Sequence, residues 1–128
     1  MRFMMLLPAP VEALEKCAVP DRGIVTAMRK YDEEMNKAGV LLSEEGLHPT
    51  SKGVRIKVSG GKRIVTDGPF TETKEVIAGF WIIQVNSKEE AVRWAERCPL
   101  PECGVIEIRQ IFENCDFPPE LQKKAAGS

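Results

Sequence analysis

Apolar and polar positions along this chain change period several times, and each change marks an element. Arg2 to Leu7 is a nearly unbroken apolar run, the pattern of a short buried strand, and Pro8 is expected to end it. A loop holding Pro10, Cys17 and Pro20 leads to a different rhythm. Ile24, Ala27, Met28, Tyr31, Met35 and Ala38 recur at helical intervals, while Arg29, Lys30, Asp32, Glu33, Asn36 and Lys37 take the opposite face. Asp21 is placed to cap the start of this helix and Gly39 to end it.

Val40-Leu41-Leu42 opens a second strand running through Ser43-Glu44-Glu45-Gly46-Leu47 towards Pro49. Val54, Ile56 and Val58 then alternate with Arg55 and Lys57, Gly60-Gly61 supplies a turn that accepts positive φ, and Arg63 to Thr66 returns as the second strand of a hairpin. Asp67-Gly68-Pro69-Phe70 closes that hairpin with turn chemistry. Val76 to Val85 is the longest apolar run and reads as the central strand, with Phe80 and Ile82 on one face and Trp81, Ile83 and Val85 on the other. Ser87 with Glu90 forms a capping box for a second helix, whose stripe of Ala91, Trp94, Ala95 and Cys98 is stopped by Pro99. Val105 to Phe112 is a last strand.

The order β-α-β, hairpin, β-α-β is that of an α+β, ferredoxin-like protomer spanning residues 1–112, followed by a polar C-terminal tail at 113–128. Two helices of this length cover one face of such a sheet. The Trp81, Ile83 and Val85 face is apolar as well, and is expected to need a cover of its own: a second copy packed sheet to sheet, or the hairpin and tail folded back.

Composition narrows the picture further. A chain of 128 residues, 43% apolar and 29% charged, fits one soluble domain with a single core. A net charge of −1 with scattered Lys and Arg gives no reason to expect nucleic acid or a membrane as partner. The N-terminal apolar run is too short to span a bilayer, so a cytoplasmic protein is expected, with Cys17, Cys98, Cys103 and Cys115 reduced. Cys98 and Cys103 lack zinc-ribbon spacing and the one His lies far from them, so neither a metal nor another cofactor is called for.

Three segments carry a resemblance to a known family: Ala38-Gly39-Val40-Leu41, Glu45-Gly46-Leu47-His48-Pro49, and Val65 to Glu75 around Asp67-Gly68-Pro69-Phe70. Gly79-Phe80 and Val105-Ile106-Glu107-Ile108-Arg109 complete it. In this order and spacing they resemble the DGPF branch of the YCII-related family. The resemblance implies a homodimeric α+β barrel whose two sheets face each other around a cleft. It implies no reaction, although genes of this branch often neighbour, or are fused to, those of sigma factors. Other members carry a His and an Asp near the first helix; that helix holds no His here.

Six polar residues are the candidates for chemistry. Asp67, with Glu72 and Lys74 nearby, can act on a ligand or simply cap its own turn. His48 carries the side-chain type that titrates nearest neutrality, at the end of a strand, and is either a proton-transfer group or an incidental loop residue. Glu107 and Arg109 share a strand face and either hold a polar ligand or form an ion pair that sets register. Asp67 and His48 are thus candidate catalytic residues, and Glu72, Lys74, Glu107 and Arg109 candidate ligand-binding ones. Tyr31 and Trp81 are expected to be packing groups. The expected function is binding of a small polar molecule in the inter-sheet cleft, with acid–base catalysis; the alternative is a non-catalytic binding or regulatory module.

Overall fold

The computed structural model describes residues 1–10, 22–70 and 72–123. The elements are β1 (Arg2–Pro10), α1 (Arg22–Lys37), β2 (Leu41–Gly46), β3 (Val54–Ser59), β4 (Lys62–Asp67), β5 (Glu75–Gln84), α2 (Lys88–Glu96) and β6 (Glu107–Gln110), with short 3-10 turns at Thr50–Lys52, Asn114–Asp116 and Pro119–Leu121. Four strands form an antiparallel sheet in the order β2-β5-β1-β6, and β3 and β4 form a separate two-stranded sheet. Strands one and two of each β-α-β unit are thereby split by a third, the ferredoxin-like arrangement.

Local chemistry sets the element ends. α1 stops in a Schellman motif: the Val40 N–H donates to the Met35 carbonyl (3.1 Å) and the Gly39 N–H to the Asn36 carbonyl (3.0 Å), with Gly39 at φ +75°. Val40 and Met35 are both buried, the apolar contact that accompanies this cap. The expected Asp21 cap lies outside the described residues, as does Cys17. Ser87 accepts from the Glu90 N–H (3.1 Å) and Glu90 in turn accepts from the Asn86 N–H (2.9 Å), opening α2 as expected. Gly60 and Gly61, at φ +58° and +77°, make the two-residue hairpin turn.

The sidedness of β5 reverses the expectation. Trp81, Ile83 and Val85 lie beneath the helices, in one core with Phe3, Met5, Tyr31, Met35, Ala91 and Cys98. The Trp81 ring meets Tyr31 edge-on at 5.8 Å, and the Tyr31 hydroxyl donates to the Trp94 carbonyl (2.6 Å), joining α1 to α2. The face without helices is therefore the Phe80 and Ile82 face. Both faces of β5 are apolar, so alternation along the strand could not say which one the helices take.

β1 also differs: it runs through Pro8 to Pro10, with a register shift between Leu7 and Pro8. β6 pairs with β1 only as far as Leu6, so beyond that point β1 has one neighbour and a proline withholds nothing from a second ladder. β6 itself is shorter than the expected Val105–Phe112. After it, Glu113 pairs with Arg2 (2.8 Å) and the Phe117 ring lies 5.3 Å from that of Phe112, so the tail starts against the first residue of β1.

Candidate functional site

The polar edge of α1 meets the sheet at one place. Asp32 follows Met28 by one turn and lies beside the apolar stripe, next to Trp81 of β5. The indole N–H donates to Asp32 Oδ1 (2.7 Å), giving this buried Trp the polar partner its ring nitrogen needs. The β2–β5 register sets Glu44 opposite Trp81, hence on the same face and against Asp32. Two carboxyl groups from elements distant in sequence are thus neighbours.

Their closeness alters Glu44. Burial raises its pKa first, followed by the negative charges of Asp32 and Glu45 and a hydrogen bond to Asp32, all of which favour the neutral acid. Burial likewise pushes the Cys98 thiol up to about 12, with the Asp32 charge adding to the shift, leaving it a packing group.

Next to this pair lies a cavity of ≈ 590 Å³ between the first turns of α1, the ends of β1 and β5, and the β2 edge. Such a volume suits a small-molecule ligand. Leu7, Val25, Met28 and Trp81 supply apolar wall; Asp32, Glu44, Arg29 and His48 supply polar groups. Ala78 and Gly79 keep the floor low. A Cβ at Gly79 would come within 2.8 Å of the Glu45 carbonyl oxygen, so glycine is also what allows β2 to lie this close.

The six expected residues do not converge. His48 lines the cavity, directly after β2. Asp67 ends β4 opposite Val54 and is exposed, away from the cavity lining. Its turn is built by its neighbours: the Gly68 N–H donates to the Gly53 carbonyl (2.9 Å), and a Cβ at Gly68 would fall inside the Thr50 carbonyl oxygen. Phe70 is buried, its N–H bonded to Thr50 Oγ1 (3.2 Å) and its ring 4.0 Å beneath the Arg55 guanidinium. Glu72 forms an exposed ion pair with Arg55 (3.4 Å), and Lys74 is exposed just before β5. Glu107 and Arg109 lie opposite Leu6 and Met4, on the sheet face away from the helices. Among the described residues no three His, Cys, Asp or Glu side chains are grouped to hold a metal ion.

Asp32 and Glu44 were missed because each looks like an ordinary solvated carboxylate in its own element. The available signal was the Met28, Asp32, Met35 spacing, which sets Asp32 at the border of the apolar stripe, together with a core Trp in need of an acceptor.

Comparison with known proteins agrees with this fold. An uncharacterised protein of Rhizobium meliloti (strain 1021) is 37% identical over 92 residues, 70% of this chain and 71% of that one. The family profile of the YCII-related domain matches residues 1–114, the whole β-α-β, hairpin, β-α-β unit, and the chain belongs to the YCII-related family.

Proposed function

We propose that this protein binds a small, largely apolar molecule with a hydrogen-bonding head group in the cavity beside α1, the head group meeting Asp32, Glu44 and His48. The observation that carries this is the ≈ 590 Å³ cavity with a carboxyl pair at its wall, one member of which is shifted upward by burial and by the other's charge. The Glu44 carboxyl, the Asp32 carboxylate and the His48 imidazole are hydrogen-bonding groups of the kind that can pass a proton to or from an oxygen or nitrogen of a ligand. The trio suits acid–base chemistry. The alternative is a binding or regulatory module that holds the ligand without turning it over, linked to sigma-factor signalling as the family resemblance suggests.

A homodimer is part of this reading, supported by the apolar Met4, Leu6, Phe80 and Ile82 on the open sheet face, where Glu107 and Arg109 offer a second place for a polar group. A cytoplasmic site of action is supported by the free thiols of Cys98, Cys103 and Cys115.

The test is a thermal-shift screen of small carbonyl, phenol and amine compounds against the wild type and Met28→Trp, which pushes a bulky ring into the cavity. A binder at about ten times its Kd adds about 1.4 kcal/mol, on the order of 5 °C for a chain of this size. The shift should shrink in Met28→Trp. Binding undiminished in that variant, or no binder from any class, would refute the cavity reading. Turnover of a binder that Glu44→Gln abolishes, with binding kept, supports an enzyme; binding without turnover supports the module.

A further inference from the structure

We propose that the outer edge of β3 is a docking site for a partner protein, which adds a third strand to the hairpin through an extended segment of alternating apolar and acidic residues.

The hairpin stands apart from the four-stranded sheet, and every residue of both its strands is exposed. A two-stranded sheet is marginal in water, and a third strand with a shared apolar face is what makes such a unit stable. The edge that would take it is open: among the described residues β3 pairs with β4 and with no other strand. The two-residue Gly60-Gly61 turn makes Ser59 and Lys62 a hydrogen-bonded pair, and alternation along the ladder then points the backbone N–H and C=O groups of Val54, Ile56 and Val58 outward. At the base, the bond from the Gly68 N–H to the Gly53 carbonyl (2.9 Å) falls where the same alternation puts it. That bond and the buried Phe70 hold the hairpin in place, so little ordering is left for docking.

Side chains along this edge set the chemistry of the guest. Val54, Ile56 and Val58, 55%, 64% and 61% exposed, share one face, and Arg55 and Lys57 share the other. A strand laid beside them is stabilised by apolar residues on the first face and by carboxylates opposite the cations on the second. The local charge favours the same guest. Residues 52–67 hold Lys52, Arg55, Lys57, Lys62 and Arg63 against Asp67 alone, in a chain whose net charge is −1. Arg55 already has Glu72 at 3.4 Å and Thr73 at 3.1 Å, whereas Lys57 and Lys62, on the same face, have no ion pair among the described residues.

The same residues disfavour a second copy as the guest. Antiparallel pairing of two β3 edges about Ile56, the register that matches the most apolar pairs, sets Arg55 opposite Lys57 twice, and like charges directly opposite destabilise a strand pair. β4 is the poorer edge, because Arg63, Val65 and Asp67 on one side and Lys62, Ile64 and Thr66 on the other mix apolar and polar groups on both faces.

The test uses two labelled, end-capped peptides of about seven residues, long enough to span β3: one alternates Val and Glu, the other Val and Lys. In fluorescence anisotropy at low salt, the Val-Glu peptide should bind the full chain at least about tenfold more tightly than the Val-Lys peptide, and salt should narrow the gap. Lys57→Glu, an exposed change that the fold tolerates, should reverse the preference. Hydrogen exchange separates strand addition from mere charge attraction: bound Val-Glu peptide should protect the Ile56 and Val58 amides, while the Arg55 and Lys57 amides, already bonded within the hairpin, should change little. Equal affinity for the two peptides, no binding of the Val-Glu peptide at about 1 mM, or binding that leaves Ile56 and Val58 exchange unchanged would each overturn the proposal. So would protection at Arg63 and Val65 instead, which would put the guest on β4.

Discussion

Replacing Asp32 with Ala should cost about 2 kcal/mol of stability. Trp81 is only 5% exposed, and its N–H has Asp32 Oδ1 as partner at 2.7 Å. Removing the acceptor leaves a donor in a largely dry site, which costs about 1–3 kcal/mol, and the lost bond is of the stronger, charge-assisted kind. Against this, Asp32 repels Glu44, and relief of that partly solvated repulsion returns a few tenths of a kcal/mol. The net is about 2 kcal/mol. For a chain of this size, with a urea slope of about 1–3 kcal/mol/M, the unfolding midpoint should fall by about 1 M. A double-mutant cycle with Trp81→Phe isolates the bond, and a coupling near 1.5 kcal/mol is expected, while Asp32→Asn, which keeps an acceptor, should cost less than about 1 kcal/mol. Circular dichroism and Trp fluorescence in urea measure all four. A coupling under about 0.3 kcal/mol, the limit of ordinary additivity, would mean that the indole finds water instead, and the account of the α1–β5 contact would be wrong.

Glu44→Gln should be as stable as the wild type at pH 4 and a few tenths of a kcal/mol more stable at pH 7. The folded-state pKa of Glu44 is raised, so its favourable contribution is complete below the ordinary Glu value of about 4.3 and is lost as pH rises through the raised value. Thermal melts at the two pH values decide it; a variant less stable than wild type only at pH 7 has the wrong sign. Gly68→Ala should loosen the hairpin base by more than about 3 kcal/mol, because its Cβ collides with Thr50 backbone, whereas Gly39→Ala, with nothing within 4 Å but φ at +75°, should cost about 1 kcal/mol. Amide exchange in β3 and β4 should rise only in Gly68→Ala. Ile83→Ala, in a fully buried position, should lose about 2–5 kcal/mol in a single global transition.

Much of the fold was legible because its causes are local. The α1 stripe, the Gly39 stop, the Ser87–Glu90 box and the Gly60-Gly61 turn each depend on residues within a few positions of one another. Pro8 misled for the opposite reason: whether a proline ends a strand depends on how many neighbours the strand has there, and β6 stops short of it. The candidate site was legible only at His48. Asp32 and Glu44 become a pair through the β2–β5 register and the seating of α1, and neither leaves a mark in its own segment.

The chain by itself determined the order and type of the elements, the turns between them and the family they belong to, since periodicity and turn chemistry are written into neighbouring residues. Only the tertiary structure decided which side of β5 faces the helices, which carboxyl groups share a cavity, and that the hairpin stands clear of the main sheet. Hydrophobic period sorts residues into faces of their own backbone. Which face is covered, and by what, follows from packing between segments far apart in sequence, where both faces of β5 were apolar enough to serve.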